Sequence, residues 1–190
     1  TVRAIDKEGN ADGAGAVALF WVDSSPPRVS ISDPKRGTVI GGIYSITGTA
    51  TDETDFQDYQ IQIFPGDQGS GVFVLETLQF TEAVEDTLYA WDTRAVSDGT
   101  YTIHLFARDT KNGDFDRQHS SDTTVTIEAD NTRPLARILL PLPGATLSEK
   151  VDVEVELADA HLSRYLLAYS RSPNAVDEDW AAIRGEAIGE

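Results

Sequence analysis

Cysteine is absent from the 190 residues, which excludes a disulfide framework and any thiol chemistry. Basic side chains are scarce: 15 Lys and Arg stand against 32 Asp and Glu, for a formal charge of −17. Such a surface repels nucleic acid and anionic membranes, because phosphate binding needs a basic footprint. Histidine occurs only as His104, His119 and His161, with none of the spacings of a zinc site. No apolar run approaches the roughly 18 residues of a membrane-spanning helix. No glycine-rich phosphate loop follows a strand-like run and opens a helix. No leader precedes the strand-like pattern at Thr1, as expected where a sequence starts inside a longer chain.

What is present is strand pattern. With 40% hydrophobic and 25% charged residues, the composition is that of a folded chain. The clearest stretch runs from Asp98 to Asp109. An Asp98-Gly99 turn feeds an alternation that puts Tyr101, Ile103, Leu105 and Ala107 on one face and Thr102, His104 and Arg108 on the other. Period 2 is the signature of a half-buried antiparallel strand. A tyrosine just past the turn is similar to the tyrosine corner of immunoglobulin-like sandwiches, whose hydroxyl ties back to the chain upstream.

The chain also repeats itself. Residues 2–10 (VRAIDKEGN) read like residues 105–113 (LFARDTKNG), with Ala4 against Ala107 and Asp6 against Asp109, a shift of 103. Residues 18–23 with Pro27 match residues 125–130 with Pro134 at a shift of 107, so four extra residues lie in the second copy's loop. The same 107 carries Pro34–Gly37 onto Pro141–Gly144. It also carries Tyr44, Ile46, Gly48 and Ala50 onto Val151, Val153, Val155 and Leu157. After a one-residue deletion Tyr59, Ile61 and Ile63 fall on Tyr165, Leu167 and Tyr169. Repeats of this length imply stacked copies of one unit. Residues 1–25 are therefore expected to hold the last strands of one unit, 26–130 a complete unit, and 131–190 the first strands of a third.

Within the complete unit, strands are expected at 28–31, 43–51 and 59–64. A strand or hairpin is expected over 72–75 and 78–80. A strand at 88–93 should pack beside the Tyr101 strand, and a last one should run over 123–129. Turns fall at Pro34–Gly37, Gly41-Gly42 and Pro65-Gly66, and residues 111–121 form a polar loop. No segment has a helical period. Seven or so short strands separated by turns predict an all-β sandwich.

Trp91-Asp92-Thr93, Asp98-Gly99-Thr100-Tyr101, the Ala107-Arg108-Asp109 ending and the junction Asp130-Asn131-Thr132-Arg133-Pro134 together resemble the tandem bacterial immunoglobulin-like domains of large secreted and cell-surface proteins. The resemblance implies tandem immunoglobulin-like β-sandwich units and a non-catalytic spacer, stalk, filament or adhesin shaft outside the bacterial cell. Such arrays are sometimes appended to enzymes or RHS-type toxins, and an adhesion or carbohydrate-binding module is the alternative. Expected partners are neighbouring domains of the same array. The strands at 2–22 of one chain are also expected to complete the C-terminal fragment of another, since open sheet edges template pairing.

Candidate chemistry is thin. The Ala129–Pro134 junction resembles the cadherin linker, in which Asp and Asn oxygens hold calcium. That resemblance makes Asp130, Asn131, Asp109 and Asp159 candidate Ca²⁺ ligands, with Asp23, Asp6 and Asp52 at the equivalent first junction. Asp and Asn before Pro are also ordinary turn formers. Further acidic clusters lie at Asp52-Glu53-Thr54-Asp55 with Asp58, and at 112–116. His119, Ser120, Ser121 and Asp122 have the residue types of a triad but sit together in a polar loop, whereas a triad is defined by geometry. Trp21, Trp91 and Trp180 recur at strand positions, which favours packing over sugar stacking.

Overall fold

The computed structural model describes residues 1–19, 25–109, 119–148, 150–171, 174, 176, 179 and 181–183. Contacts divide the chain into two units, Thr1–Asn131 and Thr132–Glu190.

The first unit contains a two-sheet sandwich. Its strands are β1 (Arg28–Asp33), β2 (Val39–Ile40), β3 (Ile43–Thr51), β4 (Phe56–Pro65), β5 (Leu75–Gln79), β6 (Ala83–Asp92), β7 (Gly99–Asp109) and β8 (Ser120–Ala129). A 3₁₀ turn, Thr93–Ala95, follows β6. One sheet has the order β1-β3-β6 and the other β2-β8-β7-β4-β5. Neighbours are antiparallel except β2 and β8, which run parallel. The chain thus leaves the first sheet after β1, visits the second as β2, and returns as β3.

The core is what the alternation requires. Ile46 of β3, Ile61 and Ile63 of β4, Trp91 of β6, Ile103 and Leu105 of β7, and Ile127 of β8 are fully buried between the sheets. Trp91 meets Tyr101 edge to face, centroids 5.6 Å apart at 73°, a favoured aromatic geometry. The Tyr59 hydroxyl crosses the core to donate to the Leu88 carbonyl at 3.0 Å. Gly48 is demanded by close approach, since a Cβ there would run into the Ser30 carbonyl of β1.

Three details differ from the sequence reading. The segment after β4 takes the single-strand alternative but with other bounds, Leu75–Gln79: Ile63 pairs with Leu75 and Tyr59 with Gln79, while Phe73 packs edge-on against Phe64. β6 starts at Ala83, five residues before the expected strand. Register shifts against β3 and the positive φ of Glu85 break its alternation, which hid those residues. Finally, β6 does not lie beside β7. It pairs with β3 and faces β7 across the core through Trp91 and Tyr101.

Residues 1–19 hold a small antiparallel pairing in which Val2 bridges Ala16 and Ile5 bridges Ala11. The second unit holds two antiparallel pairs, β9 (Leu135–Leu140) with β10 (Glu154–Ala158), and β11 (Leu167–Tyr169) with β12 (Ala181–Ile183). Their registers copy those of the first unit. Leu135 faces Ala158, Ala136 faces Leu157 and Arg137 faces Glu156, as Arg28 faces Thr51, Val29 faces Ala50 and Ser30 faces Thr49, each residue moved by 107. Leu167 faces Ile183 and Tyr169 faces Ala181, as Ile61 faces Thr77 and Ile63 faces Leu75, moved by 106.

Candidate functional site

Several of the polar residues singled out in the sequence lie at the two ends of the sandwich. At the end where β7 begins, Asn131 is a latch. Its side-chain oxygen accepts from the Gly42 amide at 2.9 Å and from the Thr93 hydroxyl at 3.0 Å. Its amide nitrogen donates to the Thr93 carbonyl at 3.2 Å, and its backbone N–H donates to the Asp98 carboxylate at 2.8 Å. A loop that had to accept a residue with both a donor and an acceptor amide explains the asparagine. The adjoining parallel contact of β2 and β8 continues the same seam: Gly37 donates to Thr126 at 2.8 Å, Glu128 to Thr38 at 3.0 Å and Asp130 to Ile40 at 2.9 Å. Gly41 permits it, because a Cβ there would collide with the Asp130 carbonyl.

The opposite end carries buried acids. Asp58 of β4 is fully buried and takes Arg108 of β7 in a fork, Nε at 2.9 and 3.0 Å and Nη2 at 2.9 Å. Asp109, also fully buried, accepts from the His119 backbone N–H and faces the His119 ring Nδ1, both at 2.9 Å. Nearby, the Glu82 carboxylate accepts from the Thr51 hydroxyl and the Asp52 N–H at 2.8 and 2.7 Å. Asp52 uses Oδ1 to cap the Thr54 N–H at 3.0 Å.

Within the first unit, the structure sets Asp109 apart from Asp130 and Asn131. Asp109 ends β7, whereas Asp130 and Asn131 lie beyond Ala129, which pairs with Gly99 at the start of β7. The whole strand, roughly 34 Å at about 3.4 Å per residue, separates them. The Asn131 amide and the Asp109 carboxylate are occupied by protein groups. Asp159 belongs to the second unit, where its Oδ1 accepts from the His161 N–H at 2.8 Å. In the first unit Asp6 closes its own turn, accepting from Glu8 and Asn10. Hard cations want six to eight oxygens, and among the described residues no group of three or more His, Asp or Glu is arranged to hold a metal ion. Asp23 and residues 112–116 lie outside the described residues.

The triad-like run also separates. His119 turns to Asp109, Ser120 and Ser121 open β8, and Asp122 faces His104 on the outer surface at 3.2 Å. Trp91 is core, while Trp21 and Trp180 lie outside the described residues. The sequence reading missed the Asp58–Arg108 fork and the Asp109–His119 pair. Inward-pointing Asp109 at the end of a strict alternation was the available signal.

One contact decides what kind of sandwich this is. The Tyr101 hydroxyl donates to the Ser97 carbonyl, four residues upstream, at 2.7 Å. That is the tyrosine corner, on the strand entered from the opposite sheet and packed against the core tryptophan. Residues 85–167 match the family model of the bacterial Ig-like domain, group 3. Over that stretch the chain is similar to a bacterial immunoglobulin-like domain. The matched stretch opens inside β6 and closes at the first residue of β11, so it takes in the last strands of the Ig-like sandwich and the strands that follow. Comparison with curated proteins and with solved structures gave no match. No helix of the described residues is long and apolar enough to cross a membrane.

Proposed function

We propose that the chain is a stretch of tandem Ig-like units serving as a non-catalytic spacer or shaft in a protein outside the bacterial cell. The observation that carries this reading is the shared register of the two units, with β9–β10 and β11–β12 copying β1–β3 and β4–β5 residue for residue. A family match that begins in one sandwich and ends in the next set of strands is what a repeat read in a shifted frame would give. The N-terminal pairing fits as well. Val2 opposite Ala16 corresponds to Leu105 opposite Thr123 of β7 and β8, at the shifts of 103 and 107 already present in the sequence.

A role under tension is supported by the seam between β2 and β8. These are near the first and last strands of the sandwich, and they run parallel with three backbone hydrogen bonds between 2.8 and 3.0 Å. Tension applied through the two ends of the unit shears those bonds together, so they must break together. Asn131 extends the seam with its bonds to Gly42 and Thr93.

Stretching the full chain by single-molecule force spectroscopy tests the proposal. The 28–129 sandwich should open in one abrupt step to an extended length of roughly 370 Å, at the ~3.6 Å per residue of extended chain, less the span of the folded unit. Gradual yielding at low force contradicts a spacer. Saturable binding of the chain to an immobilised glycan would favour the adhesion reading instead.

A further inference from the structure

The complete sandwich, residues 28–129, has four sheet edges: β1 and β6 on one layer, β2 and β5 on the other. Three of them are blunted. β2 is only two residues long. β1 shifts register against β3 between Ile31 and Asp33. β6 shifts twice against β3, holds Glu85 at positive φ, and leaves Glu85 and Asp86 exposed. Short strands, bulges and outward charge are how natural sheets prevent stray pairing. β5 is different. Leu75–Gln79 keeps an unbroken register with β4, and its one charged residue, Glu76, accepts from the Gln62 amide at 2.7 Å. Among the described residues no strand lies on its far side, the side to which an edge strand points alternate N–H and C=O groups. Around Glu76 the outward face is apolar: Val74, Leu78 and Phe80 are 46%, 42% and 70% exposed. This edge lies inside the complete sandwich, so neither end of the chain creates it.

We propose that β5 takes an extended basic segment of another protein as an added strand. Charge chooses the partner. Between Gly37 and Thr93 the sequence has no Lys, Arg or His, while Glu76, Glu82, Glu85 and Asp86 lie on β5 and on the turn and strand that follow it. A second copy of this chain would bring the same acids to the seam, and like charges facing one another across paired strands are destabilising. A strand with Lys or Arg opposite Glu76 and apolar residues opposite Val74, Leu78 and Phe80 satisfies both the charge and the apolar surface. Main-chain hydrogen bonds to the open edge supply affinity, and the alternate side chains supply selection. The edge thus gives the unit a lateral contact that the spacer reading does not require and on which that reading does not depend.

The test titrates the full chain with a short labelled peptide of alternating Lys and Val, following both peptide fluorescence and the backbone amide resonances of the chain. The proposal expects saturable binding, with shifts centred on residues 72–80 and slowed solvent exchange of the β5 amides. Val74→Lys/Leu78→Lys puts like charge on the edge and should weaken binding about tenfold or more. Ile43→Lys/Val84→Lys adds the same charge at exposed apolar positions of the other sheet and should leave binding within about twofold at physiological salt. A peptide of alternating Glu and Val should not bind. The amide map needs no variant, so it decides even where a variant fails to fold. The proposal is overturned if the shifts spread over the acidic surface instead of centring on β5, if the two variants weaken binding equally, or if the Glu peptide binds as well as the Lys peptide. It is also overturned if sedimentation of the chain alone shows a dimer that Leu78→Lys dissolves, which would give the edge to a second copy.

Discussion

The Tyr101 hydroxyl holds the Ser97 carbonyl at 2.7 Å while its ring lies edge-on to Trp91, so one side chain fixes both the corner and the core. Tyr101→Phe keeps the ring and orphans the carbonyl. The expected loss is about 1–2 kcal/mol of unfolding free energy, the range for a hydrogen bond whose partner stays partly buried. Chemical denaturation with the fluorescence of Trp91 as probe measures it. Trp91→Ala, which empties the centre of the sandwich, should cost ~3–5 kcal/mol.

Arg108 and Asp58 give a second, asymmetric prediction. Arg108→Ala strands a fully buried carboxylate and should cost ~3–5 kcal/mol, whereas replacing both residues with apolar ones of similar size should restore much of the loss. Denaturation midpoints of the single and double variants decide it. A double variant as unstable as the single would show that the pair itself, and not the orphaned charge, carries the stability.

Tyr44 sets an alkaline limit. Its hydroxyl donates to the Asp33 carboxylate, and that bond, with burial and the negative charge of Asp33, pushes its pKa from 10.0 up to about 12. The folded state holds this proton more tightly than the unfolded chain. The stabilisation is therefore complete below pH 10 and is lost as pH rises toward 12. Melting temperature measured across pH 9 to 12 should fall, and Tyr44→Phe should flatten that fall.

How much of this was legible beforehand follows from where alternation survives. β3, β7 and β8 were readable because one face of each is core and the other water, so period 2 runs unbroken through Ile46, Ile103 and Ile127. The start of β6 was not, because bulges opposite Thr47 and Ala50 let consecutive acidic residues face solvent. Asn131 was visible as a polar junction residue, but sequence cannot distinguish an amide that holds Gly42 and Thr93 from one that holds a cation. Both need an oxygen near a turn.

Calcium provides the corresponding solution test. Because Asn131 and Asp109 are satisfied by protein groups at opposite ends of β7, adding calcium or a chelator should leave the melting temperature of the chain unchanged. A ligand that binds only the folded state would raise it by mass action. Asn131→Ala, by contrast, should lower it whether or not calcium is present, since Gly42 N–H and the Thr93 carbonyl lose their partner, at a cost of about 1–3 kcal/mol.

The copied register is best tested by cross-strand Hα contacts in the nuclear magnetic resonance spectrum of the full chain. The account expects Ala136 to meet Leu157 and Ala168 to meet Ala182, alongside Val29 with Ala50 and Gln62 with Glu76. Pairings in the second unit displaced by even one residue from those of the first, or helical contacts over 132–183, would contradict it.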